Sequence, residues 1–438
     1  MTSTLQPIRG MNDVLPDDAA AWQTLERIAR ETFAAYGYRE VRLPLLERTE
    51  LFKRSIGELT DIVEKEMYTF DDRGGDSVTL RPEATAGVVR ACISNGLLHN
   101  QRQKIWCLGP MFRYERPQKG RYRQFHQIDV EALGFPGPDV DAEIILMSAR
   151  IWRRLGLTDV ELNLNSLGTP ESRRVYRALL TGYFRGHERE LDDDSRRRLD
   201  GNPLRILDSK NPALQTLIAA APSITDHLDS ESAEHFAQLR ELLDRTGVRY
   251  RLNPRLVRGL DYYSRTVFEW VTTALGSQDA ICSGGRYDGL VAQLGGTPTP
   301  AIGWALGQER IVELMRLQQL PLDEAKPHVY LVLAGAAAER AGLVLAEQWR
   351  EAVQGLRIEV NAGGGGVKSQ MKRADRSGAP IALLLGDDEL ARGVVALKDL
   401  RGGAEQKDVA SEDLVDELHA IMQRRPSRQR ETRGSDRA

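Results

Sequence analysis

The stretch Phe112-Arg113-Tyr114-Glu115-Arg116-Pro117-Gln118-Lys119-Gly120-Arg121-Tyr122-Arg123-Gln124-Phe125-His126-Gln127 decides how this chain reads. From Arg116 to Arg123 it carries four cations and no acid. A loop that cationic repels itself unless an anion visits it. Guanidinium forks suit phosphate oxygens, and Tyr122 offers a ring on which a base can stack. On either side, Lys104 to Tyr114 and Gln124 to Leu133 read as strands. Strand side chains alternate between faces, so Gln127, Asp129 and Glu131 share one side, and His126, Ile128 and Val130 the other. A polar, partly acidic sheet face beside a cationic hairpin suits the floor of a site for a cationic or polar ligand next to a phosphate. The same residues also suit an ordinary solvated hairpin.

Working outward, Trp22, Leu25, Ala29, Phe33 and Tyr36 recur at helical spacing between Asp18 and Tyr36, and Gly37 offers the stop. Tyr38 to Leu43 reads as a strand ended by Pro44, Val78 to Leu80 as a short strand and Ala84 to Leu98 as a helix. Asp139 to Leu155 is an amphipathic helix, and Val160 to Leu164 alternates again. Between 170 and 250 strand signals nearly vanish, and charged helical segments are broken at Asn202-Pro203, Asn211-Pro212 and Ala221-Pro222. This is the pattern of a helical insertion. Strands return at Thr266 to Val271 and Asp279 to Cys282, and a helix is expected from Ile302 to Leu317. After a linker at Gln318 to Lys326, strand and helix alternate up to Lys398, the mark of a separate α/β domain. The run Arg424 to Ala438 has six arginines and no large apolar residue, as expected of a disordered basic tail.

Two further segments could carry chemistry. In Leu256-Val257-Arg258-Gly259-Leu260-Asp261-Tyr262-Tyr263-Ser264-Arg265-Thr266-Val267-Phe268-Glu269, a fixed charge and two phenols stand at the mouth of a strand. If both tyrosines lay in the strand they would face opposite ways, one of them into the core. In Ser283-Gly284-Gly285-Arg286-Tyr287-Asp288-Gly289-Leu290, paired glycines let a backbone approach a ligand closely. Ala301-Ile302-Gly303-Trp304-Ala305-Leu306-Gly307-Gln308-Glu309-Arg310 follows, and on a helix Gly303, Gly307 and Arg310 would lie near one face. Gly363 to Gly366 fall short of a phosphate loop, because Val367 separates the last glycine from Lys368.

With 60 Lys plus Arg against 63 Asp plus Glu, the net charge of −3 is wrong for a globally basic nucleic-acid coat, so any such site is a local patch. Three cysteines without a CxxC pair, and no HxxxH among seven histidines, point away from a disulfide framework and from a zinc site. No apolar run spans a bilayer and Met1 to Pro16 has no apolar signal core, so a cytoplasmic protein is expected.

Together the quoted segments resemble the bacterial-type histidyl-tRNA synthetases, which are class II aminoacyl-tRNA synthetases. The likeness runs from Ile8-Arg9-Gly10-Met11-Asn12-Asp13 to about Met422. Phe112 to Gln127 is similar to the family's motif 2, Ala301 to Arg310 to motif 3, and the helix and strand up to Pro44 to motif 1, which in the family lies at the dimer interface. Leu256 to Glu269 and Ser283 to Leu290 resemble two signatures peculiar to the histidine enzymes.

The resemblance implies an α+β fold. A six-stranded antiparallel catalytic sheet flanked by helices would occupy 1–169 and 251–320, and a helical insertion 170–250. A C-terminal α/β anticodon-binding domain would span 327–423 and the basic tail 424–438. It implies a homodimer that joins L-histidine to ATP as histidyl-adenylate, with magnesium on the β- and γ-phosphates. The histidyl group then passes to the terminal ribose of histidine tRNA. By motif matching, Glu83 and Thr85 would hold the histidine ammonium, although Ala84 stands where relatives often have glycine. Gln127, Glu131, Tyr262 and Tyr263 would complete the amino-acid pocket. Arg113 would grip the α-phosphate and carboxylate, and Arg258 would stabilise charge on the α-phosphate. Arg121 and Arg310 would meet the ATP phosphates, and Arg116, Gln118 and Arg123 the tRNA acceptor end. No protein side chain is expected to bind a metal. Two other readings remain at this point: a synthetase-like regulatory subunit that senses histidine without charging tRNA, and a general RNA-binding module.

Overall fold

Gln124–Leu133 is a ten-residue strand, and its alternation has the expected consequence. Ile128, Val130 and Ala132 are fully buried on one side, against helices Pro16–Ala35 and Pro138–Leu155. Both helices begin with proline at the first turn followed by acids, where a missing N–H costs nothing and negative charge meets the helix dipole. The second ends at Gly156 in the left-handed conformation, after Arg153 and Arg154 in its last turn. The first presents Leu25, Ala29 and Phe33 to the sheet. Phe33 is fully buried, with ring centroids 5.1 Å from Trp106 and 6.0 Å from Trp304. Truncation to alanine there would cost about 3–5 kcal/mol.

The computed structural model describes residues 5–57, 60, 62–258, 260, 262–276, 280–322, 326–402 and 405–423. The expected basic tail, 424–438, and the expected strand start at Asp279 lie outside them. The chain divides into two compact units, Met1–Asp323 and Glu324–Ala438. In chain order the strands of the first are β1 (Arg39–Glu40), β2 (Leu46–Arg48), β3 (Tyr68–Asp71), β4 (Ser77–Leu80), β5 (Gln103–Phe112) and β6 (Gln124–Leu133). They continue with β7 (Glu161–Ser166), β8 (Arg251–Leu252), β9 (Ser264–Val271), β10 (Ala280–Arg286) and β11 (Ala301–Gly307). The large sheet runs β1-β5-β6-β11-β10-β9-β7-β8. Its six central strands are antiparallel throughout, and the two-residue strands β1 and β8 extend its edges in parallel. β2, β4 and β3 form a separate small sheet.

The structure corrects one expectation that matters for the site. Residues 301–307 are strand β11, and the helix starts only at Gln308. Ile302, Trp304 and Leu306 pack into the helix-covered core, while Gly303, Ala305 and Gly307 alternate on the other side. The glycine spacing of four fits a period of two as well as a helical turn. Shorter corrections concern Tyr38 to Leu43, where only Arg39–Glu40 pairs as strand, and Ala84 to Leu98, where the helix spans Thr85–Ser94.

Between 170 and 250 the described residues contain helices Pro170–Gly186, Asp193–Gly201, Gln215–Ala219 and Ser230–Arg245, with short 3-10 turns between them. The last helix packs Phe236, Leu239 and Leu243 into the core under the large sheet. In the second unit the strands are β12 (Val329–Ala334), β13 (Ile358–Val360), β14 (Ile381–Gly386), β15 (Val394–Asp399) and β16 (Lys407–Ala410), in the order β13-β12-β14-β15-β16. Strands β13, β12 and β14 are parallel, and β15 and β16 continue antiparallel. Parallel central strands buried on both faces explain the unbroken apolar runs at Val329 to Leu333 and Ile381 to Leu385. No helix is long and apolar enough to cross a membrane among the described residues.

Candidate active site

The opposite face of the large sheet floors a cavity of about 300 Å³. That is the lower end of the range for small-molecule sites. Of the residues singled out in the sequence, Glu83, Thr85, Arg113, Arg121, Gln127, Arg258, Tyr262, Tyr263 and Arg310 line it. Glu131 lies just beneath, accepting hydrogen bonds from Thr85 Oγ1 at 2.6 Å and from the Tyr287 hydroxyl. Arg116, Gln118 and Arg123 do not line the cavity. Arg116 and Gln118 are exposed on the hairpin, and Arg123 packs 3.9 Å over the Tyr114 ring.

Strand β6 supplies the floor, because Phe125, Gln127, Asp129 and Glu131 all fall on the cavity side of its pleat. Its neighbours are chosen for smallness. A Cβ at Gly303 would stand 1.6 Å from Glu131 Oε2, so a side chain there would evict the carboxylate. The paired glycines of β10 act differently from the expectation that they admit a ligand. A Cβ at Gly285 would meet Tyr263 at 2.9 Å and the Thr266 carbonyl at 2.6 Å, and one at Gly284 would meet the Gly303 carbonyl at 2.3 Å. They admit the neighbouring strands and Tyr263. The condition under which Tyr262 and Tyr263 would face opposite ways, that both lie in the strand, is not met. Both precede β9, both are buried, and both line the cavity with ring centroids 4.7 Å apart. Their neighbours Gly259 and Asp261 lie outside the described residues.

Both signs of charge meet in the cavity. Glu83, Asp129 and Glu131 are each at most 4% exposed. Burial raises all three carboxyls above the ordinary range; Glu83 pushes Glu131 further, up to about 8, and Glu131 and Glu83 push Asp129 well above its usual value. Arg113, Arg121, Arg258 and Arg310 supply the positive charge, and Arg113 is near enough to Glu83 and Asp129 to act on both. Burial pulls Arg113 below the usual arginine value, opposed by Glu66 and Glu83. Burial also disfavours charge on Arg258, but Tyr263 and Glu269 more than offset it and hold the group above its usual value. Arg258 Nη1 donates to Glu269 Oε1 at 2.9 Å, and Ser283 Oγ donates to the same oxygen at 2.9 Å.

The cationic hairpin is less naked than its sequence suggests. Arg121 pairs with Glu115, and Lys119 pairs with Glu313 at 2.7 Å. Gly120, with φ +70, makes the turn, and its carbonyl accepts from Arg310 Nε at 3.1 Å. Arg113 Nε donates to the Pro82 carbonyl at 2.9 Å, which ties the hairpin to the segment carrying Glu83. Among the described residues no group of three or more His, Cys, Asp or Glu side chains could hold a metal ion.

Four participants were not assigned roles from the sequence: Asp129, Glu269, Ser283 and Tyr287. Three of them fall on one transverse row, where Asp129 pairs with Ala305, Ala305 with Ser283 and Ser283 with Glu269 across four strands. Strand pairing, invisible to local spacing, is the signal that would have joined them. The cavity can meet anions with guanidiniums, and a cation or neutral N–H groups with buried carboxyls and phenols.

Comparison with known proteins gives the same direction. A family model for histidyl-tRNA synthetase matches residues 10–311, and one for an anticodon binding domain matches residues 328–421. The histidine–tRNA ligase of Halorhodospira halophila (strain DSM 244 / SL1) is 60% identical over 418 residues, covering 95% of this chain and 98% of that protein. That of Hydrogenovibrio crunogenus (strain DSM 25203 / XCL-2) is 55% identical over 422 residues, covering 96% and 99%. The crystal structure of apo S. aureus histidyl-tRNA synthetase superposes with a TM-score of 0.80 at 35% identity, covering 95% of this chain and all of that one. With its fold and its sequence in agreement, the chain belongs to the histidyl-tRNA synthetase family.

Proposed function

We propose that this chain is a histidine–tRNA ligase that activates L-histidine with ATP and passes the histidyl group to the 3' end of histidine tRNA. The observation that carries the reading is one cavity that combines buried carboxyls with four guanidiniums. Histidine offers an ammonium and two ring nitrogens to the carboxyls, and its carboxylate and the ATP phosphates to the guanidiniums.

In the first step a histidine carboxylate oxygen attacks the α-phosphorus. The bond to the β-phosphate oxygen breaks, giving histidyl-adenylate and pyrophosphate. Arg113 bridges the reacting carboxylate and the α-phosphate. Arg258 stabilises the charge that builds on the α-phosphate, and its pairing with Glu269 keeps it pre-aimed. Arg121 and Arg310 take the outer phosphates. Glu83, Thr85 and Gln127 hold the ammonium, while Glu131, Tyr262 and Tyr263 read the imidazole. In the second step the terminal ribose hydroxyl of the tRNA attacks the histidyl carbonyl and AMP leaves. Exposed Arg116 and Gln118, with Arg123 behind them, are in reach of an incoming acceptor end. A site that recognises its substrate through buried hydrogen bonds rejects analogues lacking them by about 10⁴–10⁵, so editing is not needed.

The catalytic core would comprise 1–169 and 251–320, with 170–250 inserted, and 327–423 would read the anticodon. The described side chains do not form a metal cage, so magnesium would arrive on the β- and γ-phosphates, whose own oxygens hold it. The chain would work as a homodimer in the cytoplasm. Amino-acid-dependent ATP–pyrophosphate exchange across all twenty amino acids, without tRNA, tests the reading. Exchange with histidine alone is expected. No exchange, with histidine binding intact, would replace it with the regulatory-subunit reading.

A further inference from the structure

Asp129 is a buried carboxyl that the fold leaves without a strong hydrogen-bond donor. It is 1% exposed, on the cavity side of β6 between Gln127 and Glu131. Its Oδ1 has no hydrogen-bond partner, and its Oδ2 has only the Cys107 thiol at 4.0 Å, a weak donor. Across the sheet it faces Cys107 on β5 and Ala305 on β11, neither of them a cation, and Arg81 and Arg113 act on it through space without a hydrogen bond to it. The Gln127 Oε1, two residues along the same face, is buried and also without a partner. An unsatisfied buried acceptor is costly and two adjacent ones more so, unless a ligand completes them. Glu131 beside them is already satisfied by Thr85 and Tyr287.

We propose that Asp129 is a further specificity-determining residue, whose carboxylate binds the α-ammonium of the amino-acid substrate together with Gln127 Oε1 and Glu83. This rests on the reading of the cavity as the histidine site. An ammonium carries three donors, and the three acceptors line one cavity, two from β6 and one from the segment before helix Thr85–Ser94. The charge balance agrees. Asp129 is held well above its ordinary value by burial and by Glu131 and Glu83, so the empty site is short of positive charge. An incoming ammonium relieves that shortage, whereas a ligand lacking it does not. The position therefore discriminates α-amino acids from their deaminated counterparts.

The test compares the full chain with Asp129→Asn, a change of shape-neutral kind, using three probes: L-histidine, histidinol and imidazole-4-propionate. Histidinol keeps the ammonium and loses the carboxylate, and imidazole-4-propionate does the reverse. The variant is expected to bind histidine and histidinol about ten- to a hundredfold more weakly, with imidazole-4-propionate unchanged. Its melting temperature should equal or exceed that of the native chain, because a buried ionisable group has been replaced by an uncharged amide of the same shape. Equal weakening of all three probes, or a lowered melting temperature, would make Asp129 a merely structural residue and overturn the proposal. Unchanged binding of all three would overturn it too. Failure of the native chain to bind histidine or histidinol at all would instead overturn the reading of the cavity.

Discussion

Two sets of buried charges lie on opposite faces of the same sheet, and they are built to opposite rules. On the helix-covered face, Arg286 is fully buried and every arm of its guanidinium is answered. Nε donates to Asp141 Oδ2 at 3.1 Å, and Nη2 lies 2.7 Å from Asp141 Oδ1 and donates to the Phe135 and Gly137 carbonyls. Nη1 donates to Asp288. His235, from helix Ser230–Arg245, meets Asp141 Oδ2 at 2.8 Å. This cluster ties helix Pro138–Leu155, the helix at 230–245 and the end of β10 together. On the cavity face, Asp129 and Gln127 keep acceptors with no partner. Charge matched by the fold specifies the fold; charge left unmatched awaits a ligand.

Breaking the matched cluster should have the largest effect. Arg286→Met leaves His235 as the remaining partner of the buried Asp141, and denaturant unfolding should show a loss of about 3–5 kcal/mol. A near-native unfolding midpoint would mean that the cluster is not what holds these elements. On the cavity face the expected signature is reversed. Arg258→Ala should cut histidine adenylation by about 10²–10³ while histidine still binds and the melting temperature barely moves. Near-normal adenylation would remove Arg258 from its assigned role.

Gly303→Ala sharpens the comparison, because the added methyl collides with Glu131 without touching the matched cluster. We expect a stability loss of about 1–3 kcal/mol together with a raised KM for histidine. A stability loss without a change in KM would detach Glu131 from histidine recognition.

The smallest effect is a slope with pH. Between the ordinary carboxyl value of 4.5 and about 8, Glu131 keeps a proton in the folded chain that it loses in the unfolded one. The free energy of unfolding therefore falls as pH rises through that window. Glu83 and Asp129 are raised in the same direction and add to the slope. Melting temperatures of the ligand-free chain should decline from pH 5 to 8, and Glu131→Gln should flatten the decline. A variant that melts with an unaltered slope would contradict the assignment.

The sequence was most legible where one period served one surface. The alternation in Gln124 to Leu133 put Gln127, Asp129 and Glu131 on a common face, and the structure keeps them there. The helical repeat through Leu25, Ala29 and Phe33 was equally plain. It was least legible where glycine removes the contrast between faces. In Ala301 to Gly307 the cavity side is all small residues, so a strand with one apolar face resembled a helix with spaced glycines. Alternation could not place Tyr262 and Tyr263, because both precede β9. Family motifs carried the residue roles, while the partners Glu269, Ser283 and Tyr287 emerged only from cross-strand register and side-chain reach.

The most direct measurement is a crystal structure of the full chain with L-histidine. The account predicts the ammonium within about 2.6–3.2 Å of at least two of Glu83, Gln127 and Asp129, and a ring nitrogen at the same range from Glu131. Histidine bound the other way round, or elsewhere, with Asp129 and Gln127 still lacking partners, would contradict it.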